Sequence, residues 1–165
     1  MAAGPTYEPI ATTTLGRAQS SVTFNSFSGY TDLVIVINPG STAGNIDGRL
    51  RFNSDTGTNY SLTCLRGNGT AASSFAITNQ SFIDLNSFAT FDTTIRQNTI
   101  INIINYANTT TYKTLMVRAN NAAGGTDSTI ALWRSTSAIT ALEIYASSAN
   151  FVSGSTFTLY GIKAA

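Results

Sequence analysis

Asp32-Leu33-Val34-Ile35-Val36-Ile37-Asn38 places five apolar residues in a row, four of them β-branched. Branching at Cβ costs rotamer freedom in a helix and suits a pleated surface. The run is too short for a typical helix and is stopped by Pro39-Gly40. It therefore predicts a central strand with both faces covered.

The segments on either side carry the same signal in alternating form. Ser21-Val22-Thr23-Phe24 puts Val22 and Phe24 on one face, and Arg49-Leu50-Arg51-Phe52-Asn53 turns its arginines outward. Asp55-Thr56-Gly57-Thr58-Asn59 reads as a turn, followed by a strand from Tyr60 to Arg66 and a second turn at Gly67-Asn68-Gly69. Phe75-Ala76-Ile77, Phe82-Ile83 and the stretch from Phe88 to Arg96 predict further strands. Ile100, Ile101, Ile103 and Ile104 fit one helical face, but their branching favours a strand over Thr99 to Tyr106. Strands then resume at Tyr112 to Ala119, Thr129 to Arg134, Ile139 to Tyr145 and Thr156 to Lys163. Turns are expected at Asn120 to Gly125 and Ser153 to Ser155. The expectation is an all-β, single-domain antiparallel β-sandwich over residues 15–165, jelly-roll-like, with about eight to ten strands. Residues 1–14, with Pro5 and Pro9, are expected to form an extended N-terminal arm.

Composition narrows the function. The 165 residues include no histidine, one cysteine and 17 charged side chains, nine basic and eight acidic. A soluble chain ordinarily carries about a quarter charged residues, and this one carries 10%. Histidine-based triads are excluded, and so are zinc sites, which need more than one cysteine. The eight carboxylates leave a glycosidase pair formally open, but Asp47, Asp55 and Asp127 lie in turn-like sequence. No EF-hand spacing or phosphate-binding loop is present, so no cofactor or metal is expected. A net charge of +1 gives no pull on nucleic acid or an anionic membrane. No apolar run approaches the ~18 residues of a membrane span, and the N-terminus lacks the pattern of a signal peptide. Cys64 is expected to behave as a small buried hydrophobe. A surface of hydroxyl and amide groups suits contact with other protein, because few ions must be desolvated. The protein is expected to act as a surface in an assembly and not as an enzyme.

Several segments together carry a family resemblance. They are Tyr7-Glu8-Pro9-Ile10-Ala11-Thr12-Thr13-Thr14-Leu15, Ser21-Val22-Thr23-Phe24, Tyr30-Thr31-Asp32-Leu33-Val34, Leu50-Arg51-Phe52-Asn53-Ser54-Asp55-Thr56-Gly57-Thr58-Asn59-Tyr60-Ser61, Leu65-Arg66-Gly67-Asn68-Gly69, Ile101-Asn102-Ile103-Ile104-Asn105-Tyr106-Ala107-Asn108, and the ending Gly154-Ser155-Thr156-Phe157-Thr158-Leu159-Tyr160-Gly161-Ile162-Lys163. The chain resembles a family of small β-rich virion structural proteins of tailed bacteriophages, in its stand-alone form. The resemblance implies a virion component on the capsid surface, made in the host cytoplasm. It further implies a homotrimer that cements the major capsid protein of the same phage. Under that reading Pro5, Tyr7, Pro9 and Ile10 would form a capsid-contact arm, and Phe82, Ile83, Phe88 and Phe91 the oligomer interface. The alternative is a receptor- or glycan-binding module of a tail or head fibre. Trp133, Tyr106, Tyr112 and Tyr145 would then contact host glycan. The competing reading of Trp133 places it partly in the core, with its indole N–H bonded nearby.

Overall fold

The computed structural model describes residues 6–163. They form twelve strands and, among the described residues, no helix. The strands are β1 (Tyr7–Thr14), β2 (Ser21–Asn25), β3 (Asp32–Asn38), β4 (Gly48–Phe52), β5 (Tyr60–Gly67), β6 (Ala72–Gln80), β7 (Ile83–Asp84), β8 (Asn98–Ile103), β9 (Lys113–Asn121), β10 (Gly125–Trp133), β11 (Ala141–Ala146) and β12 (Thr156–Ile162). One sheet runs β1-β12-β3-β8-β9-β10-β5-β6 and the other β2-β11-β4-β7. All pairings are antiparallel.

Four pairings define the winding: β1 with β12, β2 with β11, β3 with β8 and β4 with β7. This is one long hairpin folded at the β4–β7 end. Rolling it up sets β12 beside β3 and β11 beside β4. Two inserted hairpins, β5–β6 and β9–β10, then extend the first sheet beyond β8. The result is an eight-plus-four antiparallel β-sandwich.

The core lies between the sheets. Leu33, Ile35 and Ile37 of β3 face Leu50 and Phe52 of β4 and Leu142 and Ile144 of β11, all with no accessible surface. The central strand β3 has the bounds its sequence implies, and Cys64 is buried as expected. Burial raises the Cys64 thiol pKa, which makes it a poor nucleophile.

Three expectations are corrected. Residues 7–14 of the expected arm are extended, but they form edge strand β1, bonded along its length to β12. The stretch from Phe88 to Arg96 is a loop that makes one isolated bridge, Phe91 to Ile46. Phe91 exchanges backbone bonds with Ile46, the Asp92 carbonyl accepts from the Ser41 N–H, and buried side chains meet other backbone groups of the stretch. Asn86 donates to the carbonyls of Ile46 and Ala89, and Asn121 donates to that of Thr90. Ile104 and Tyr106 fall beyond β8, in a turn where Asn105 takes a φ of 52°.

Gly161 shows how closely the layers fit. A Cβ there would lie 2.2 Å from the ring of Tyr30, which packs across β12 at this point. Gly161→Ala should therefore cost about 1–3 kcal/mol through overpacking. Thermal unfolding would read this as a loss of about 3–10 °C. In a Tyr30→Ala background the same change should cost far less, because the two sites share the space.

Candidate interaction surfaces

The aromatic residues suited to a sugar site are divided between core and surface. Trp133 is 2% exposed. Its ring stacks on Tyr60 at 6.3 Å and packs against Phe52 at 5.4 Å. Its indole N–H donates to Asp55 Oδ2 at 2.7 Å. This is the core placement, and it removes Trp133 as a stacking platform. Tyr106 is also buried, edge-on to Phe27. Tyr145 is half-buried and its hydroxyl accepts from Arg51 at 2.9 Å. Of the four, Tyr112 alone is exposed.

The expected oligomer residues are divided too. Ile83 and Phe91 have no accessible surface, because both point between the sheets. Neither can contact another subunit. Phe82 and Phe88 are half-buried under guanidinium groups, Phe82 under Arg49 at 3.9 Å and Phe88 under Arg66 at 4.3 Å. Of the arm residues, Tyr7 and Pro9 are exposed and Ile10 packs against the core. Pro5 lies outside the described residues. Deleting residues 1–14 would strip β1 from the sheet and bare β12 as a new edge. The truncated protein should therefore melt well below the parent and aggregate on heating. A melting curve with light scattering checks this.

Ionisable groups in the interior are engaged structurally. Asp127 is 1% exposed and accepts three backbone N–H groups, from Ser87, Phe88 and Ala89, at 2.7, 3.1 and 2.9 Å. Lys113 is 1% exposed, and its ammonium donates to the carbonyls of Thr111 and Thr136. Burial pulls the Lys113 pKa down. Tyr60 bonds the backbone of Phe52 and Asp55, and burial pushes its hydroxyl up to about 12. Asp47 and Asp84 have raised pKa values, caused first by burial. Asp84 also raises Asp47, and Arg49 opposes the shift at both. Arg49 holds Asp84 in an ion pair at 3.4 Å, on the outer side of the small sheet. Among the described residues, no three His, Cys, Asp or Glu side chains are placed to share a metal ion.

The two outer faces of the sandwich differ in charge. The small sheet presents Arg49, Arg51, Glu143 and Asp84, tied together by two ion pairs. The large sheet is nearly bare. Across β8, β9, β10, β5 and β6 its outward positions hold one charged side chain, Arg118. Met116 and Ile130 sit directly opposite one another there, 53% and 51% exposed. Leu65, on the next strand, is 62% exposed. Shallow depressions lie beside Leu65 and around Ile130 and Leu132.

No family model, curated protein or solved structure matches this chain. The bare sheet face is thus argued from its own residues. Two of the four expected interface residues, Ile83 and Phe91, are core positions, because the apolar pattern from Phe82 to Phe91 reads as strand. The outward partners Met116, Ile130 and Leu65 were legible in principle as the apolar members of the polar phase of β9, β10 and β5.

Proposed function

We propose that the protein is a non-enzymatic structural component of a bacteriophage virion, a cement that binds the assembled head shell as a homotrimer. The bare outer face of the large sheet is the observation that carries the assembly part of this reading. Exposed apolar residues among hydroxyl and amide groups, with almost no charge, can be buried against protein at little desolvation cost. Protein interfaces are depleted in charge at their centre in the same way. The phage setting and the three-fold copy number come from the sequence resemblance. A cement stabilises by mass action, since it binds the assembled lattice and not separated subunits, and many copies on one lattice add avidity.

Purified particles test the reading. Quantitative mass spectrometry should find this chain in a fixed ratio to the major shell protein, and shells lacking it should open at lower temperature. Copies confined to the tail or a single vertex would point to a fibre module. Absence from particles would reject the virion reading. Met116→Lys with Ile130→Glu, which sets opposite charges against each other, should leave the fold intact and abolish attachment, since both side chains are exposed.

A further inference from the structure

The two edges of the large sheet are built differently. At β1 the edge carries Pro9, which has no N–H to offer, and a register shift between Pro9 and Ala11. Glu8 is tied to Lys163 at 2.9 Å on the same edge. Proline, irregular register and charge are devices by which proteins discourage strand addition. The opposite edge, β6, has none of them over its regular part. Its nine residues, Ala72–Gln80, include no charged residue and no proline. The register with β5 is regular from Ala72 to Ile77, and the irregularity lies beyond it. Among the described residues no strand pairs with its other side. On the core-facing side Phe75 and Ile77 are only half-buried, at the margin of the core.

We propose that β6 pairs antiparallel with β6 of a second copy, about a two-fold axis through Phe75, making the two large sheets continuous. Directly opposed residues of an antiparallel pair share a face, so the axis must pass through a residue and not between two. An axis at Phe75 sets it against Phe75 of the second copy, a favourable aromatic cross-strand pair. Ile77 then faces Ser73 of the second copy. On the outer face Ser74 meets Ala76, both small and exposed. The partner is a second copy because the strand satisfies itself: with no charge at any of its nine positions, self-pairing opposes no like charges. A net charge of +1 per chain adds little repulsion. Such a two-fold contact would tie one trimer of the proposed cement to the next, although the pairing itself does not depend on that role.

The test uses the full chain. Sedimentation equilibrium over a dilution series is combined with hydrogen exchange read by mass spectrometry. In the parent, amides of residues 72–77 should be protected when concentrated and lose that protection on dilution. The double variant Ser74→Lys, Ala76→Lys sets lysines against lysines across the axis. It should drop the assembly mass to that of the unpaired unit and still unfold cooperatively as a folded protein. An unchanged mass in a folded variant, or β6 amides that exchange freely in the concentrated parent, would overturn the pairing. Should the variant not fold, the parent's dilution series decides alone. Protection of β6 that arises only on shell binding, without self-association, would assign the edge to a shell strand and reject the second copy. Attachment to shells is measured in parallel, so loss of the cement reading and loss of the β6 pairing are separate outcomes.

Discussion

Asp127→Ala is expected to lower the melting temperature by about 10 °C or more. The carboxylate is buried and is the shared acceptor for three successive backbone N–H groups, at Ser87, Phe88 and Ala89. Hydrogen bonds to a charged group contribute about 1.5–3 kcal/mol each, and stranding the partners in the interior adds their desolvation cost. A combined loss of roughly 3–5 kcal/mol is a large share of the 5–15 kcal/mol that holds a domain of this size. The damage would spread, because the same loop carries Leu85 and Phe91, both without accessible surface. Releasing it uncovers core. Asp127→Asn keeps one acceptor oxygen and should lose less. Thermal unfolding by circular dichroism checks both. A drop below about 3 °C for Asp127→Ala would mean that the loop amides find other acceptors.

Trp133→Ala should cost about 3–5 kcal/mol, the usual range for removing a large buried aromatic. It empties the space between Phe52 and Tyr60 and removes the indole donor from Asp55. Under a glycan-binding reading the same variant would stay stable and lose only binding, so a stability measurement separates the two. Trp133→Phe keeps most of the packing and isolates the hydrogen bond. At Asp55, burial raises the carboxyl pKa, but hydrogen bonds from Trp133, Asn59 and the Gly57 backbone outweigh it and hold the value below the usual range. A depressed carboxyl contributes stability that is present above its unfolded value, near about 3.9, and lost as pH falls through the folded value. The stability gap between parent and Trp133→Phe should therefore narrow from pH 7 to pH 3. A gap that stays constant over that range would place the loss in packing.

The fold was largely written in local pattern. The β3 run, the alternation in β2, β4 and β5, and the glycine turns gave elements whose ends fall within a few residues of those observed. The misses share a physical cause. Phe88 to Arg96 has strand-like composition, yet its partners include the side chains of Asn86 just before it and of Asn121 and Asp127, which are distant in sequence. Tyr7 to Thr14 looked like a free arm because prolines favour extended backbone whether or not a strand lies alongside. Only the return of the C-terminal segment Thr156–Ile162 decides that one does. The interface expectation failed at Ile83 and Phe91 because an apolar residue in an irregular segment gives no phase from which to read inside from outside. In β9 and β10 the phase is clear, and the exposed Met116 and Ile130 could have been found as exceptions to it.

The chain has two lysines, and one of them, Lys113, is enclosed with its amine bonded to two carbonyls. Amine-directed reagents should therefore modify Lys163 and spare Lys113 while the sandwich stays closed. A dye or cargo attached through a lysine would sit at one defined place on every copy, and any label found on Lys113 would record the moment the two layers came apart.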